Sequence, residues 1–299
     1  MPDLFPGNSA AYRWCVRAHG LIDELPGAGP ADHVCWIYDD DADLDAAVRE
    51  FFAGGMARGE RVLCVGERVI DGLRTTAGAE LESLIARGAV ETLTLAQVYE
   101  AAGPFRPEQQ LAYYDAATRR AADAGYRGLR VIAEVSGLAE DPARHPELVR
   151  WEQIADDYAA SGSGFSALCA YRAGLPPEAL ADVASVHPLV HAPREPSTFA
   201  LYAENDRLVL AGSVDASSCD RLARLLDGTA TAGDVVVLDL AALEFLDVAS
   251  CRVLAHWVAG LAARSVAVHL IGASHLLRRM WQVLGLDRIA PLTFLELTA

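Results

Sequence analysis

The sequence predicts an α/β protein: a mainly parallel sheet covered on both faces, followed by a smaller α/β domain. Three observations carry this. From His33 to Ala184, short apolar runs alternate with stretches of helical periodicity, as strands and crossover helices do. Further on, Gly233 leads into the β-branched run Asp234–Asp239, and Val253, Leu254, Trp257, Val258 and Leu261 then recur at helical spacing. Between these regions, residues 191–197 hold Pro193, Arg194 and Pro196 and read as a linker. A length of 299 residues suits two domains. The expected division is a tail over 1–14, a first domain over 15–190, the linker over 191–197 and a second domain over 198–299.

Each element has its own reason. Arg13 to Leu25 reads as a short helix stopped by Pro26-Gly27-Ala28-Gly29-Pro30. His33–Tyr38 reads as a strand. Asp39, Asp40, Asp41 and Asp43 place negative charge at the start of the next helix, where the dipole favours it. Leu44, Ala47, Val48, Phe51 and Phe52 form that helix's apolar stripe, and Gly59 ends it before a strand at Arg61–Val65. Residues 67–90 read as a helix pair around Gly78, followed by a strand from Val90 to Leu95. Pro107 opens a helix to Asp123. Gly128–Val135 is a strand carrying Arg130 and Glu134. Leu148–Tyr158 is helical, Phe165–Tyr171 a strand and Pro176–Ala184 a short helix. In the second domain a strand, a short apolar loop and a helix start meet near Asp247.

Composition narrows the function classes. The net charge of −16 argues against direct nucleic-acid binding, because phosphates attract basic surfaces. No apolar run reaches the roughly 18 residues of a membrane span. The N-terminus lacks a basic-then-apolar leader, so a cytoplasmic protein with no membrane association is expected. All 25 basic residues are arginine, which excludes a P-loop lysine and a Schiff-base lysine. Six cysteines are scattered without a CxxC pair and read as reduced, mostly core residues.

Two resemblances follow from the motifs. Leu208–Asp215, Asp239-Leu240, Phe245-Leu246-Asp247 and Leu284–Arg288 together resemble the STAS domain of anti-sigma factor antagonists, over roughly Ser197 to Ala299. The resemblance implies a partner-binding loop with Asp215, Asp247, Ala249, Ser250 and Arg252. It also implies an anti-sigma factor or related ATP-binding regulator as partner. Phospho-switched members carry serine two residues after the loop aspartate; here that position is Ala249, which leaves Ser250 as the candidate for phosphorylation. The preferred reading of Ser250 is an unmodified residue of the first helical turn, with phosphorylation the alternative. From about Cys15 to Val190 the chain resembles the MEDS domain, a sensory domain of methanogen and methylotroph regulators. The carrying residues are His33–Tyr38, Gly55–Val65, Gly125–Arg130, Glu134, Trp151-Glu152, Leu168–Tyr171 and His187-Pro188. This resemblance implies a RecA-like sheet without nucleotide chemistry, and a small-molecule ligand of unknown identity. No G-x-x-x-x-G-K-[ST] stands in the chain. Either surface could also self-associate as a homodimer.

The expected sensory pocket comprises His33, Cys35, Tyr38, Arg130, Glu134, Glu152, Cys169 and Tyr171. Strand alternation puts His33 with Cys35 on one face, and Cys169 with Tyr171 on one face. Arg130 and Glu134 also share a face, and a charge within an apolar strand is costly unless paired. They are either a structural ion pair or ligand contacts. A metal site of His33, Cys35, Cys169 and His187 is an alternative, but the spacing matches no metal-binding pattern. The preferred reading has core cysteines and hydrogen-bonded histidines, with no metal or cofactor. Two carboxylates could do acid–base work, yet no nucleophile motif or nucleotide loop accompanies them. A non-enzymatic regulator is therefore expected. The alternatives are a degenerate RecA-like nucleotide-binding protein or hydrolase, and a metal or redox sensor.

Overall fold

The computed structural model of the chain describes residues 18–25, 29, 32–99, 105–229 and 233–295. Its first part runs β1 (Gly20–Leu21), β2 (His33–Tyr38), α1 (Asp41–Arg58), β3 (Arg61–Val65), α2 (Glu67–Ala86), β4 (Val90–Leu93), α3 (Leu95–Tyr99) and α4 (Pro107–Asp123). It continues with β5 (Leu129–Glu134), α5 (Ser136–Glu140), α6 (His145–Ala160), β6 (Phe165–Arg172), α7 (Pro177–Ser185) and β7 (Leu189–His191). The second part comprises β8 (Phe199–Glu204), β9 (Arg207–Val214), α8 (Cys219–Gly228), β10 (Val235–Asp239), β11 (Leu243–Leu246) and α9 (Val248–Ala263). β12 (Ala267–Ile271), α10 (His275–Val283) and β13 (Thr293–Phe294) complete it.

The first sheet has seven strands in the order β1-β7-β2-β6-β5-β3-β4, and every pairing is parallel. The second has six strands; β8 pairs antiparallel to β9, and the other pairings are parallel. The α/β class and the order of the two domains are as the sequence predicts.

Local chemistry explains the element ends. Asp40 caps α1 by accepting from the Asp43 amide at 2.9 Å. Gly59 ends it in the left-handed conformation at φ +74°, which glycine adopts without a side-chain clash. Gly78, at φ +39°, kinks α2 where the sequence suggests two helices. Pro107 occupies the first turn of α4.

Several expectations change. Gly20 and Leu21 form a strand against Leu189 and Val190, not the end of a helix; residues 13–17 lie outside the described residues, as does the tail at 1–14. Leu189–His191, at the junction of the expected linker, is a strand beside β2. Leu243–Leu246 is also a strand, paired with the end of β9, where an apolar loop is expected. These pieces are two to four residues long and owe their extended form to a partner distant in sequence. α3 and α5 are single-turn additions that carry no periodicity to detect.

Two layers of apolar side chains cover the first sheet. On one face Leu44, Val48 and Phe51 of α1 and Leu81 of α2 pack on Val34, Trp36 and Val62. On the other, Leu148, Trp151 and Ala155 of α6 pack on Cys35, Ile37, Val131 and Ala133. This second layer does not stop at the domain boundary. Through Leu180, Val183 and Val186 it continues into Phe199, Leu201, Leu210 and Leu225 of the second domain.

Polar contacts reinforce that junction. The Ala203 amide donates to Asp156 Oδ2 at 2.7 Å, and Gln153 Nε2 donates to the Leu225 carbonyl at 2.9 Å. Asp182 accepts from Arg221 Nε at 3.0 Å and from Arg224 Nη2 at 2.9 Å.

Candidate functional site: a buried polar cluster on the first sheet

α6 buries Leu148, Trp151, Glu152, Ala155, Asp156 and Ala159 along one stripe. Glu152 and Asp156 stand four residues apart on that stripe, so both carboxylates meet the sheet. Strand β2 presents His33 between them. Its Nε2 lies 3.1 Å from Glu152 Oε2, and its Nδ1 lies 3.4 Å from Asp156 Oδ1. The neighbouring strand β6 adds Cys169, whose Sγ donates to Glu152 Oε2 at 3.3 Å, and Tyr171, whose hydroxyl donates to Glu152 Oε1 at 2.8 Å. His187, just past α7, closes the group with Nε2 3.5 Å from Glu152 Oε2. The two imidazole centroids are 4.1 Å apart. His33 and His187 are wholly inaccessible, and Glu152 and Asp156 are 1% exposed.

A dry site sets the charges. Burial alone disfavours ionised Glu152, but hydrogen bonds and charge from His187 and His33 outweigh it and hold its carboxyl below the usual range. Burial opposes protonation of His33, but Asp156 and Glu152 overcome this and raise its pKa. His187 moves the other way, lowered by burial and by the neighbouring His33. The arrangement suits one imidazolium held between two carboxylates, with the second imidazole neutral. Burial, together with the Glu152 charge, pushes the thiols of Cys35 and Cys169 and the Tyr171 hydroxyl well up, so all three stay protonated.

The eight expected pocket residues do not share one pocket. His33, Cys35, Glu152, Cys169 and Tyr171 gather on the α6 face. Cys35 lies opposite Cys169 in register but outside the tight His33–Glu152–Cys169–His187 group. Tyr38 and Glu134 meet at the carboxyl end of the sheet, where the Tyr38 hydroxyl donates to Glu134 Oε1 at 3.1 Å. Ser136 hydrogen-bonds to the same oxygen and accepts from the Arg172 amide at 2.9 Å. That end is where open α/β sheets receive ligands. Arg130 belongs to neither group. Residues four apart on a strand are separated by about 13 Å, too far for Arg130 to pair with Glu134. Its Nε instead donates to Glu60 Oε2 at 2.6 Å, and its guanidinium carbon sits 4.3 Å from the centre of the Phe51 ring. It forms a buried structural ion pair.

Sequence reasoning missed Asp156 and Glu60. For Asp156 a signal exists: a second carboxylate one turn from Glu152 on an apolar stripe. Glu60 pairs with nearby Arg58 at 3.0 Å, but nothing in the sequence points to its second partner, Arg130, 70 positions away.

In the second domain Asp247 is the N-cap of α9 and accepts from the Ser250 amide at 2.8 Å. That backbone bond holds its carboxyl below the usual range. Exposed Asp215 is likewise held low by the Ser217 hydroxyl, which donates to it at 2.6 Å. Ala249 is half-buried and Arg252 exposed. Phe245 and Val248 are 53% and 40% exposed beside them. Ser250 departs from the expected switch. Its side chain is fully buried, so a phosphate there would have to enter the core.

Among the described residues, no helix is long and apolar enough to cross a membrane. The family described as MEDS, MEthanogen/methylotroph, DcmR Sensory domain, matches residues 32–188. The family described as Mlab, STAS domain, matches residues 197–296. No curated protein gives a significant match to the chain.

Proposed function

The chain belongs to the MEDS family, with a STAS domain behind it, and from that premise we propose that its sensory domain controls when the STAS surface meets a protein partner. This pair of domains marks a regulatory or signalling protein. In our reading the sensory domain responds to a small molecule or a partner. The surface formed by Asp215, Phe245, Asp247, Val248, Ala249 and Arg252 docks on an anti-sigma factor or related ATP-binding regulator. The work is recognition in the cytoplasm, not turnover.

One observation carries the control step: α6 serves both domains. Glu152 lies in the buried cluster, while Gln153 and Asp156 of the same helix hold Leu225 and Ala203 of the STAS domain. A shift of α6 of even a fraction of an ångström therefore changes contacts at both ends. For that to act as a signal, the ligand must bind one setting of the helix better than the other.

The test is partner capture by the full chain, with and without small-molecule extract, compared with Asp247→Arg and Asp156→Ala. We expect a partner whose capture is lost in Asp247→Arg. In Asp156→Ala it should persist but no longer respond to extract. Capture unaffected by Asp247→Arg removes the STAS surface from the reading. An unchanged response in Asp156→Ala removes α6 as the route.

A further inference from the structure

We propose that His33, Glu152, Cys169 and His187 form a closed four-ligand site for a zinc-like divalent cation. One donor atom from each residue lies within 4.8 Å of the other three. Four of the separations are 3.1 Å (His33 Nε2 to Glu152 Oε2), 3.3 Å (Cys169 Sγ to Glu152 Oε2), 3.5 Å (His187 Nε2 to Glu152 Oε2) and 3.6 Å (Cys169 Sγ to His33 Nε2). Zinc binds nitrogen and oxygen at about 2.0–2.2 Å and sulfur at about 2.3 Å, tetrahedrally. Its donors then stand roughly 3.3–3.8 Å apart, as follows from those bond lengths. The side chains are thus within a few tenths of an ångström of a tetrahedron along these edges.

Charge and chemistry agree. Binding releases the Cys169 thiol proton and the His33 Nε2 proton to solvent, so that a thiolate and a carboxylate supply two negative charges to a doubly charged cation and two neutral imidazoles complete the set. Sulfur with imidazole selects a borderline metal such as zinc over magnesium or calcium. Without a cation, fully buried His187 Nε2 is aimed into the group and meets Glu152 Oε2 only at 3.5 Å, too long for a good hydrogen bond. Leaving such an atom poorly paired is costly.

The surroundings are those of ligands held from behind. His187 Nδ1 donates to the Val183 carbonyl at 2.8 Å, which turns Nε2 inward. His33 Nδ1 faces Asp156 at 3.4 Å, and Tyr171 donates to the second oxygen of Glu152. Backing of this kind fixes the tautomer and orientation of metal-bound imidazoles and carboxylates. The set differs from the cysteine pair that strand alternation allows. Glu152 from α6 replaces Cys35, because a helix lying across the strands reaches into the group and Cys35 stays outside it. All four protein ligands are present, so the site is closed and the cation enters as the chain folds.

The whole 299-residue chain, produced with added zinc and purified without chelators, tests the proposal by elemental analysis. We expect stoichiometric zinc in the wild type and in Cys219→Ser, whose thiol lies outside the sensory domain. Zinc should be lost from Cys169→Ser and His187→Gln. Refolding in cobalt(II) supplies a second readout that needs no variant to fold. The wild type should show the thiolate-to-cobalt absorption band and the intense visible bands of a tetrahedral site. Substoichiometric zinc together with no cobalt spectrum overturns the proposal. So does metal retained in full by both ligand variants, because the metal then sits elsewhere. Neither outcome touches the partner-capture result, so the two readings fail separately.

Discussion

The sensory and STAS domains put the same residue types in opposite media. Glu152 lies wholly among protein atoms and accepts from a thiol and a phenol with two imidazoles beside it. Asp247 sits at a half-exposed helix start, where one backbone amide is its main anchor. Both carboxyls are held low, yet the energies differ. In the dry cluster each group depends on the others, and loss of one strands the rest. At the exposed cap, water replaces whatever is lost. A buried polar group is thus built into the fold, whereas an exposed one is free to serve a partner.

The sharpest way to break this contrast is Glu152→Ala. It leaves His33, Cys169 and Tyr171 without their shared acceptor, and we expect a loss of about 3–5 kcal/mol in denaturant unfolding, or failure to fold. A loss under about 1 kcal/mol would mean that water enters the cluster. Arg130→Met comes next. It removes one of the two arginines on buried Glu60, which keeps Arg58 Nε at 3.0 Å, and should cost about 1–3 kcal/mol, while Arg130→Met combined with Glu60→Gln should recover part of the loss. Asp156→Ala removes the acceptor of the Ala203 amide and should cost about 1–3 kcal/mol. Faster hydrogen exchange in β8 than in β12 would locate that loss at the junction. On the exposed side, Asp247→Ala should cost about 1 kcal/mol through the lost cap, and the proposed docking role predicts a much larger loss of partner capture.

The smallest effect is confined to acid. Burial tends to raise Asp182, but His145 and Arg224 prevail and hold its carboxyl low. A depressed carboxyl stabilises the fold above its unfolded pKa, and that contribution is lost as pH falls through the lower folded value. Asp182→Asn should therefore flatten the fall in stability below about pH 4. An unchanged slope would mean that the arginines keep no grip on this carboxylate.

Long elements with a full stripe or cap were legible in the sequence. β2, α4 and the capped start of α1 stand where periodicity, Pro107 and the aspartates put them. β1, β7 and β11 were not, because strands of two to four residues are set by their neighbours and not by their own composition. The same division holds for the candidate site. Alternation put His33 and Cys35 on one face, as it did Cys169 and Tyr171, but it said nothing of which helix would lie across them. Asp156 and the position of His187 depend on that crossing. Ser250 stands in the first turn of α9, where the sequence puts it, but its depth is fixed by the rotation of that helix, with Leu254 and Val258 buried on the same side.

The apolar layer that runs from Val183 and Val186 into Leu201 and Leu210 has a consequence for how the molecule comes apart. Families that recombine like beads on a string are ordinarily independent folding modules. Here the two domains share one apolar layer, so cutting between them should expose interior surface on both sides. Calorimetry of the whole chain should then give a single endotherm, and a fragment ending near Val190 should be sticky and poorly packed. The boundary between two family matches and the boundary of a melting unit need not coincide.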